Sequence, residues 1–488
     1  MKTICALSTP FGTSAIAIIR VSGNDAISIV RKIFSPPKPP TPIPFGTSPK
    51  GGRKRIKNLR GGCDEFPTHY QKEILFRHAY YGEILDAQQQ VVDEVIATFY
   101  RAPHSYTGED MAEISCHGSM YIAQRIMELL VENGCDFAEA GAFTQRAFLN
   151  GKMDLTQAEA VMDVINSHSE ASHRLAMEQM RGGFSKEIET LRYELLNFTS
   201  LIELELDFSE EDVEFADRKQ LMTLLNQILN RIQELKSSFT LGNVLKNGIP
   251  IAIIGKPNVG KSTLLNVLLN EDRAIVSHIP GTTRDTIEET INIDGITFRF
   301  IDTAGLRHSN EMLENMGIER TYEAINKAMA VIYVFDITAT TSTEVQEMLD
   351  DFRTHIEDSN KKYIVVANKT DQISETPPHF NILVDLDTIY ISAKRKENIG
   401  LITDSLSKFF KDKMRHVGAV TSNLRHFEVL SKTQQALETV QSGLIDNLPS
   451  DLVSIDLRQV LYHLGSITGQ ITNQDILENI FGRFCIGK

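Results

Sequence analysis

No apolar run reaches the roughly 18 residues that a membrane-crossing helix needs, and the N-terminal stretch has no charged segment followed by a long apolar core. The chain therefore reads as a soluble, cytoplasmic protein without a membrane partner. Cysteine is scarce as well: Cys5, Cys63, Cys116, Cys135 and Cys485 are scattered, odd in number and without metal-site spacing. Reduced thiols in a cytosolic compartment are the expectation. Positive charge is in deficit, with 50 Lys and Arg against 64 Asp and Glu and a formal net charge of −14. A uniformly acidic surface repels nucleic acid, so any RNA contact has to use local basic patches.

What is present is ample apolar material: 42% of the 488 residues are hydrophobic, and this length suggests about three domains. The first 150 residues read as mixed α and β, with strands at Ile16 to Val21 and Val91 to Tyr100. Between them, residues 35–72 carry dense proline, then glycine and the basic run Arg53-Lys54-Arg55, which reads as a mobile insertion. The run is either a solvated loop or an RNA contact. From Leu155 to about Leu245 apolar residues recur at three and four, and glycine and proline are almost absent apart from Gly182-Gly183, a helix break. Helix returns after about residue 412, including Leu424 to Leu444 and Ile455 to Leu464. Between these helical stretches, strand candidates at Ile249 to Ile254, Thr297 to Ile301, Ala330 to Phe335, Tyr363 to Ala367 and Thr388 to Ile391 alternate with helices. That rhythm predicts a doubly wound parallel sheet inserted into a helical domain, behind an N-terminal α+β domain.

Five segments inside the insert carry the chemistry. Gly255-Lys256-Pro257-Asn258-Val259-Gly260-Lys261-Ser262 follows a strand and opens a helix with Thr263, the context of a phosphate-binding loop. Lys261 is placed for the β- and γ-phosphates and the Ser262 hydroxyl for Mg²⁺. Gly281-Thr282-Thr283-Arg284-Asp285 offers Thr283 as a second Mg²⁺ ligand, with Ser277, His278, Ile279 and Pro280 just before it. Asp302-Thr303-Ala304-Gly305 ends a strand paired through the Asp294-Gly295 turn; Asp302 can hold Mg²⁺ through its waters and the Gly305 amide can meet the γ-phosphate. Asn368-Lys369-Thr370-Asp371 supplies a carboxylate, Asp371, that accepts from both N1–H and the N2 amine of guanine; adenine offers neither donor. Ser392-Ala393-Lys394 fits the loop that backs the base. Together these specify GTP and Mg²⁺.

Leu306 stands where small signalling GTPases carry a water-orienting glutamine, and a leucine cannot polarise water. Hydrolysis then needs help from another group, for which Arg307, Glu311 and Glu314 are candidates, each otherwise a solvated loop residue.

Outside the insert, Ser105-Tyr106-Thr107-Gly108-Glu109-Asp110 with Glu113 and His117-Gly118, the run Arg146 to Leu155, and the ending Phe484-Cys485-Ile486-Gly487-Lys488 resemble signatures of the bacterial tRNA-modification GTPase family MnmE, also called TrmE. The resemblance runs end to end apart from 35–72. It implies a multidomain α/β protein: an N-terminal folate-binding and dimerisation domain over 1–150, a helical domain over 151–248 and 412–488, and an inserted Ras-like P-loop GTPase domain over 249–411. It further implies modification of the wobble uridine of certain tRNAs with a tetrahydrofolate one-carbon unit, by a homodimer working with the flavoprotein MnmG (GidA). Arg20, Glu113, Lys152 and Lys488 match positions that bind 5-formyltetrahydrofolate. Asn258, Ser277, Ile279 and Thr282 match K⁺ ligands, and Glu314 matches the catalytic glutamate. A K⁺ ion beside the phosphates would take the place of an arginine finger. Cys485 is open between a nucleophile and a lining residue. A GTPase switch in ribosome or RNA assembly is the alternative reading; a membrane-remodelling GTPase lacks the basic amphipathic helix it would need.

Overall fold

The structure is a computed structural model, and it describes residues 1–36, 78–207, 218–271, 289–301, 322–341, 343–347, 350, 361–373, 388–414, 421–446 and 448–488. The chain divides into two compact units, Met1–Ala158 with Thr472–Lys488, and Glu159–Ile471.

The first unit contains β1 (Ile4–Leu7), β2 (Ile16–Ser22), α1 (Ala26–Ile33), β3 (Phe34–Ser35), β4 (Ala79–Leu85), β5 (Val91–Tyr100), β6 (Met111–His117), α2 (Met120–Glu132), β7 (Asp136–Phe137) and α3 (Ala142–Leu149). Its seven-stranded sheet has the order β3-β4-β5-β6-β2-β1-β7, antiparallel except between β1 and β7. Along β5 the residues Asp93, Val95, Ala97 and Phe99 turn inward in alternation, the period of a sheet with one covered face. Ile29, Val30, Ile126 and Leu130 of the two helices close that face. Ser35 pairs with Glu83, so β3 runs one residue into the segment expected to be an insertion; residues 37–72 of it lie outside the described residues. The tail helix Gln474–Phe481 lies against α3, and Ile486 bridges Ala140. Gly141 makes the docking possible: at φ +69° it is left-handed, and a Cβ there would come within 2.6 Å of the Phe481 carbonyl oxygen.

The second unit follows from α4 (Leu155–Ile165), in which the division falls, through α5 (Glu170–Met180), α6 (Gly183–Asp207) and α7 (Arg218–Asn247). Then come β8 (Ile249–Ile254), α8 (Lys261–Glu271), β9 (Glu289–Ile293), β10 (Ile296–Phe300), β11 (Ala330–Asp336), β12 (Lys362–Asn368), β13 (Ile389–Tyr390) and α9 (Gly400–Met414), and finally α10 (Leu424–Ile445) and α11 (Ser450–Thr468). The strand-bearing segment is thus inserted between α7 and α10, which share one core. Ile188, Leu195 and Ile202 of α6 meet Leu225 and Ile232 of α7, Leu430 and Leu437 of α10, and Leu457 and Leu464 of α11. Each such side chain contributes about 2 kcal/mol of burial before ordering costs. A charged group is also set against this core. Glu159 on α4 accepts from Arg425 Nε and Nη2 (2.9 Å each) and contacts His426 Nε2 (2.7 Å), while Arg425 also reaches the carbonyls of Ser466 and Ile467.

The inserted sheet has the order β13-β12-β11-β8-β10-β9, parallel except for the β9–β10 hairpin. β8 and β11 are buried throughout, as strands covered on both faces must be. The hairpin turns at Asp294-Gly295, both at positive φ (52° and 81°), the geometry an Asp-Gly pair favours. That turn also touches the helical part: Ala171 N donates to the Gly295 carbonyl (3.1 Å), and Asn292 Nδ2 to the His168 carbonyl (3.3 Å). On its other side Asp294 accepts from Ser407 and Lys411 of α9. No described helix is long and apolar enough to cross a membrane.

Candidate functional site

The second unit brings the nucleotide motifs to the C-terminal edge of its parallel strands, where ligands of such sheets gather. β8 ends at Ile254, and the loop to α8 uses Gly255 (φ +148°), Asn258 (φ +62°) and Gly260 (φ +100°) in left-handed or more extreme conformations. Neither glycine tolerates a side chain. A Cβ at Gly255 would sit 2.0 Å from the Val334 carbonyl oxygen, and one at Gly260 2.3 Å from Asn368 Nδ2. The second contact shows how the motifs are joined. Asn368 donates from Nδ2 to the Val259 carbonyl (2.8 Å) and accepts at Oδ1 from Ala393 N (3.0 Å), tying the phosphate loop, the base reader and the backing loop through one amide. Asp371 Oδ1 accepts from the Ser392 hydroxyl (2.8 Å), which orients the carboxylate and engages one of its two oxygens.

Lys261 donates to the carbonyls of Gly255 (2.7 Å) and Lys256 (2.8 Å), so its ammonium spans the loop that cradles phosphate. Burial lowers its pKa, which makes an anionic ligand there a welcome counter-charge. Ser262 and Thr263 lie in the first turn of α8, where backbone amides lack intrahelical partners. This cradle fits a nucleotide phosphate. Ser277, His278, Ile279, Pro280, Gly281, Thr282, Thr283, Asp302, Thr303, Ala304, Gly305, Leu306 and Glu314 lie outside the described residues. Two partners escaped the sequence reading. Asp336 at the end of β11 holds Lys369 Nζ (2.5 Å) and takes Thr338 N and Oγ1, and Glu344 pairs with Lys256 (3.0 Å). A carboxylate closing a buried parallel strand was the available signal for the first.

The first unit gathers a second centre. Arg20 and Glu113 stand opposite each other on β2 and β6, and the guanidinium donates twice to Glu113 Oε1 (3.0 and 2.8 Å). Its third arm reaches the Gly487 carbonyl (3.3 Å), to which the Ser8 hydroxyl also donates (3.1 Å). Phe143 N donates to the Lys488 carbonyl (3.2 Å), so the terminal motif is pinned beside Arg20. Burial first, and then the charge of Arg20, lower the pKa of the Lys488 ammonium. Three of the four positions matched to folate binding, Arg20, Glu113 and Lys488, are therefore neighbours. Lys152 donates to the Pro103 carbonyl (3.0 Å) in the loop 101–110, and Cys485 is exposed. The sequence reading missed the aromatic wall: the Arg20 guanidinium lies 5.2 Å from the Tyr106 ring centroid and 5.7 Å from that of Phe143, and the Tyr100 hydroxyl reaches Glu113 Oε2 (3.4 Å). Tyr106 was visible only as one letter of the 105–110 motif.

Comparison with known proteins covers the whole chain. The family described as "GTP-binding protein TrmE N-terminus" matches residues 3–152, and that described as "MnmE helical domain" matches residues 155–485. A protein of Christiangramia forsetii named "tRNA modification GTPase MnmE" is 48% identical over 502 residues, covering 100% of this chain and 99% of its own. Proteins of the same name from Bacteroides fragilis and Flavobacterium psychrophilum are 48% and 47% identical, each covered to 99% by the whole of this chain. A loop of phosphate-binding sequence joined by one asparagine to the loop after β13, on a doubly wound sheet set into a helical domain, defines a multidomain GTPase. The chain belongs to the MnmE family of tRNA modification GTPases, enzymes that hydrolyse GTP in the course of tRNA modification.

Proposed function

We propose that this chain, as a homodimer with the flavoprotein MnmG, installs a carboxymethylaminomethyl-type group at C5 of the wobble uridine in certain tRNAs, drawing its carbon from a tetrahydrofolate. The observation that carries this reading is the neighbourhood of Arg20, Glu113 and the docked Lys488. A carboxylate there can accept from the N–H groups of a pterin, and the cations can pair with glutamate carboxylates. Segments 1–150, 151–248, 249–411 and 412–488 are assigned as the folate, helical, GTPase and second helical parts, with the tail serving the first. Because the tail completes that centre, the test uses the whole chain. Titration calorimetry is expected to detect 5-formyltetrahydrofolate binding, and Arg20→Met to weaken it by about tenfold or more through loss of a charged hydrogen-bond donor set. Absence of binding to the unaltered chain would overturn the folate reading.

In the GTPase part, Asn258, Val259, Gly260, Lys261, Ser262 and Thr263 are assigned to the phosphates, Asn368, Lys369, Asp371, Ser392, Ala393 and Lys394 to the base, and Ser262 with Thr283 to Mg²⁺. Bound Mg²⁺ would supply charge neutralisation at the β- and γ-phosphates. Asn258, at φ +62° in the loop, with Ser277, Ile279 and Thr282, is assigned to K⁺, and Glu314 to orienting the attacking water in place of the glutamine that Leu306 replaces. Hydrolysis is then expected to run about tenfold or more faster in K⁺ than in Na⁺ at equal ionic strength, since a cation of the wrong size stabilises developing charge poorly. Equal turnover in the two salts would remove the cation from the mechanism.

A further inference from the structure

Loop 101–110 joins β5 to β6, and besides its own turn bonds, such as His104 N to the Arg101 carbonyl (2.8 Å), it is held from outside. It carries the Tyr106 ring to the Arg20 guanidinium, and its Pro103 carbonyl receives Lys152. Behind it lies a buried ion pair. Arg146 on α3 donates to Glu109 Oε2 (2.8 Å), to the Ser22 carbonyl (3.3 Å) and to the Lys2 carbonyl (2.7 Å), with both charged side chains about nine-tenths covered. Ser22 shares its hydroxyl with Glu109 Oε2 (2.8 Å) and Thr107 Oγ1 (2.7 Å), and Thr107 is fully buried. Asn150, four residues beyond Arg146, donates to the Thr107 carbonyl (2.7 Å).

A buried guanidinium and carboxylate contribute little net stability, because desolvation offsets most of their attraction. Their value lies in fixing one arrangement out of several. Here the arrangement fixed is that of the loop relative to β2, the strand that carries Arg20. Gly108, left-handed at φ +79°, lets the Lys152 stem lie on the loop: a Cβ there would come within 3.2 Å of Lys152 Cγ. Neither Arg146 nor Glu109 contacts Arg20 or Glu113 in the hydrogen-bond network; they act through Ser22, Thr107 and the loop backbone.

We propose that Arg146 and Glu109 form a positioning pair for the Arg20 centre, locking loop 101–110 so that Tyr106 and Lys152 are preorganised for a reduced folate. The ligand named here rests on the folate reading above; the lock itself does not. Two measurements on the full-length chain separate them: hydrogen exchange of the loop and tail, and calorimetric affinity for 5-formyltetrahydrofolate. The variants are Glu109→Gln, which keeps shape and removes charge, Thr107→Val, which removes the hydroxyl at equal volume, and Thr107→Ser, which restores it.

Glu109→Gln and Thr107→Val are expected to speed exchange across 102–109 by about tenfold or more and to weaken folate binding by a similar factor, the scale of one buried charged or hydroxyl hydrogen bond. Amides of the tail 484–488 should keep their protection, and Thr107→Ser should restore both readouts. Loop exchange and affinity within about twofold of the unaltered chain, well below one hydrogen bond, would overturn the lock. So would exchange that rises equally in loop and tail, because that reports general loosening. Faster loop exchange with unchanged folate affinity would overturn the claim that the lock serves the ligand. If the unaltered chain binds no folate, the ligand is wrong, and loop exchange alone still decides whether the pair holds the loop.

Discussion

Asp371→Asn is expected to cost the chain about a hundredfold or more in GTP affinity, the loss of one hydrogen bond to a charged acceptor together with a donor facing a donor in its place. Asp371 follows a left-handed Lys369 in the turn after β12, and the Ser392 hydroxyl fixes its carboxylate. Guanine presents two donors there, N1–H and the N2 amine. An asparagine accepts one of them and turns its own NH₂ against the other, so one bond is lost and a repulsion replaces it. Xanthine carries an oxygen where guanine has the amine, and an asparagine can donate to it. The same substitution should therefore raise affinity for XTP while GTP affinity falls. Binding of the two nucleotides by one variant protein, with Mg²⁺ saturating, separates this from unfolding, because an unfolded site gains affinity for neither. Unchanged preference for GTP would show that Asp371 does not read the base.

That prediction could be made from sequence because everything it needs is local. Asn368 and Asp371 are separated by one turn, and the run Tyr363 to Ala367 before them is apolar in the way a buried strand must be. The same holds for the phosphate loop and for Asp294-Gly295, whose turn chemistry is written in two residues. Thr388 to Ile391 was legible as a strand, but only Ile389 and Tyr390 pair, since β13 is an edge with one neighbour. What sequence could not show is what the register of distant strands decides. Arg20 meets Glu113 across 93 residues, and Gly487 across 467. No periodicity encodes either distance, and only likeness to a family had placed those residues together. Tyr106 and Phe143, which wall the same centre, belong to ordinary motif and helix positions and carried no signal of their own. Membership of the family of tRNA modification enzymes also disfavours the ribosome-assembly alternative, which the nucleotide motifs alone left open.

Glu159→Gln should destabilise the helical core by about 3–5 kcal/mol, the cost of stripping a buried charge of its partner. The Arg425 guanidinium would keep its carbonyl contacts at Ser466 and Ile467 but lose the carboxylate that neutralises it, 266 residues away in sequence. Burial opposes ionisation of Glu159, yet His426 and Arg425 hold its pKa down at about 2 against an ordinary 4.5. Burial lowers the pKa of His426 against the opposing pull of Glu159, whose Oε2 its Nε2 contacts at 2.7 Å. A depressed acid contributes stability above its unfolded pKa and loses it as pH falls through the folded one. The contribution of Glu159 should thus be complete above about pH 4.5 and fade toward pH 2. Below pH 4.5 the chain that keeps Glu159 loses stability that the Glu159→Gln variant never had, so the gap between their urea-unfolding midpoints should narrow. Because Glu159 also raises the pKa of His426, both chains carry His426→Gln in this comparison, which removes that ring's titration from the gap. A gap that stays constant from neutral pH to pH 3 would mean that shape at position 159, rather than its charge, holds α4 to α10.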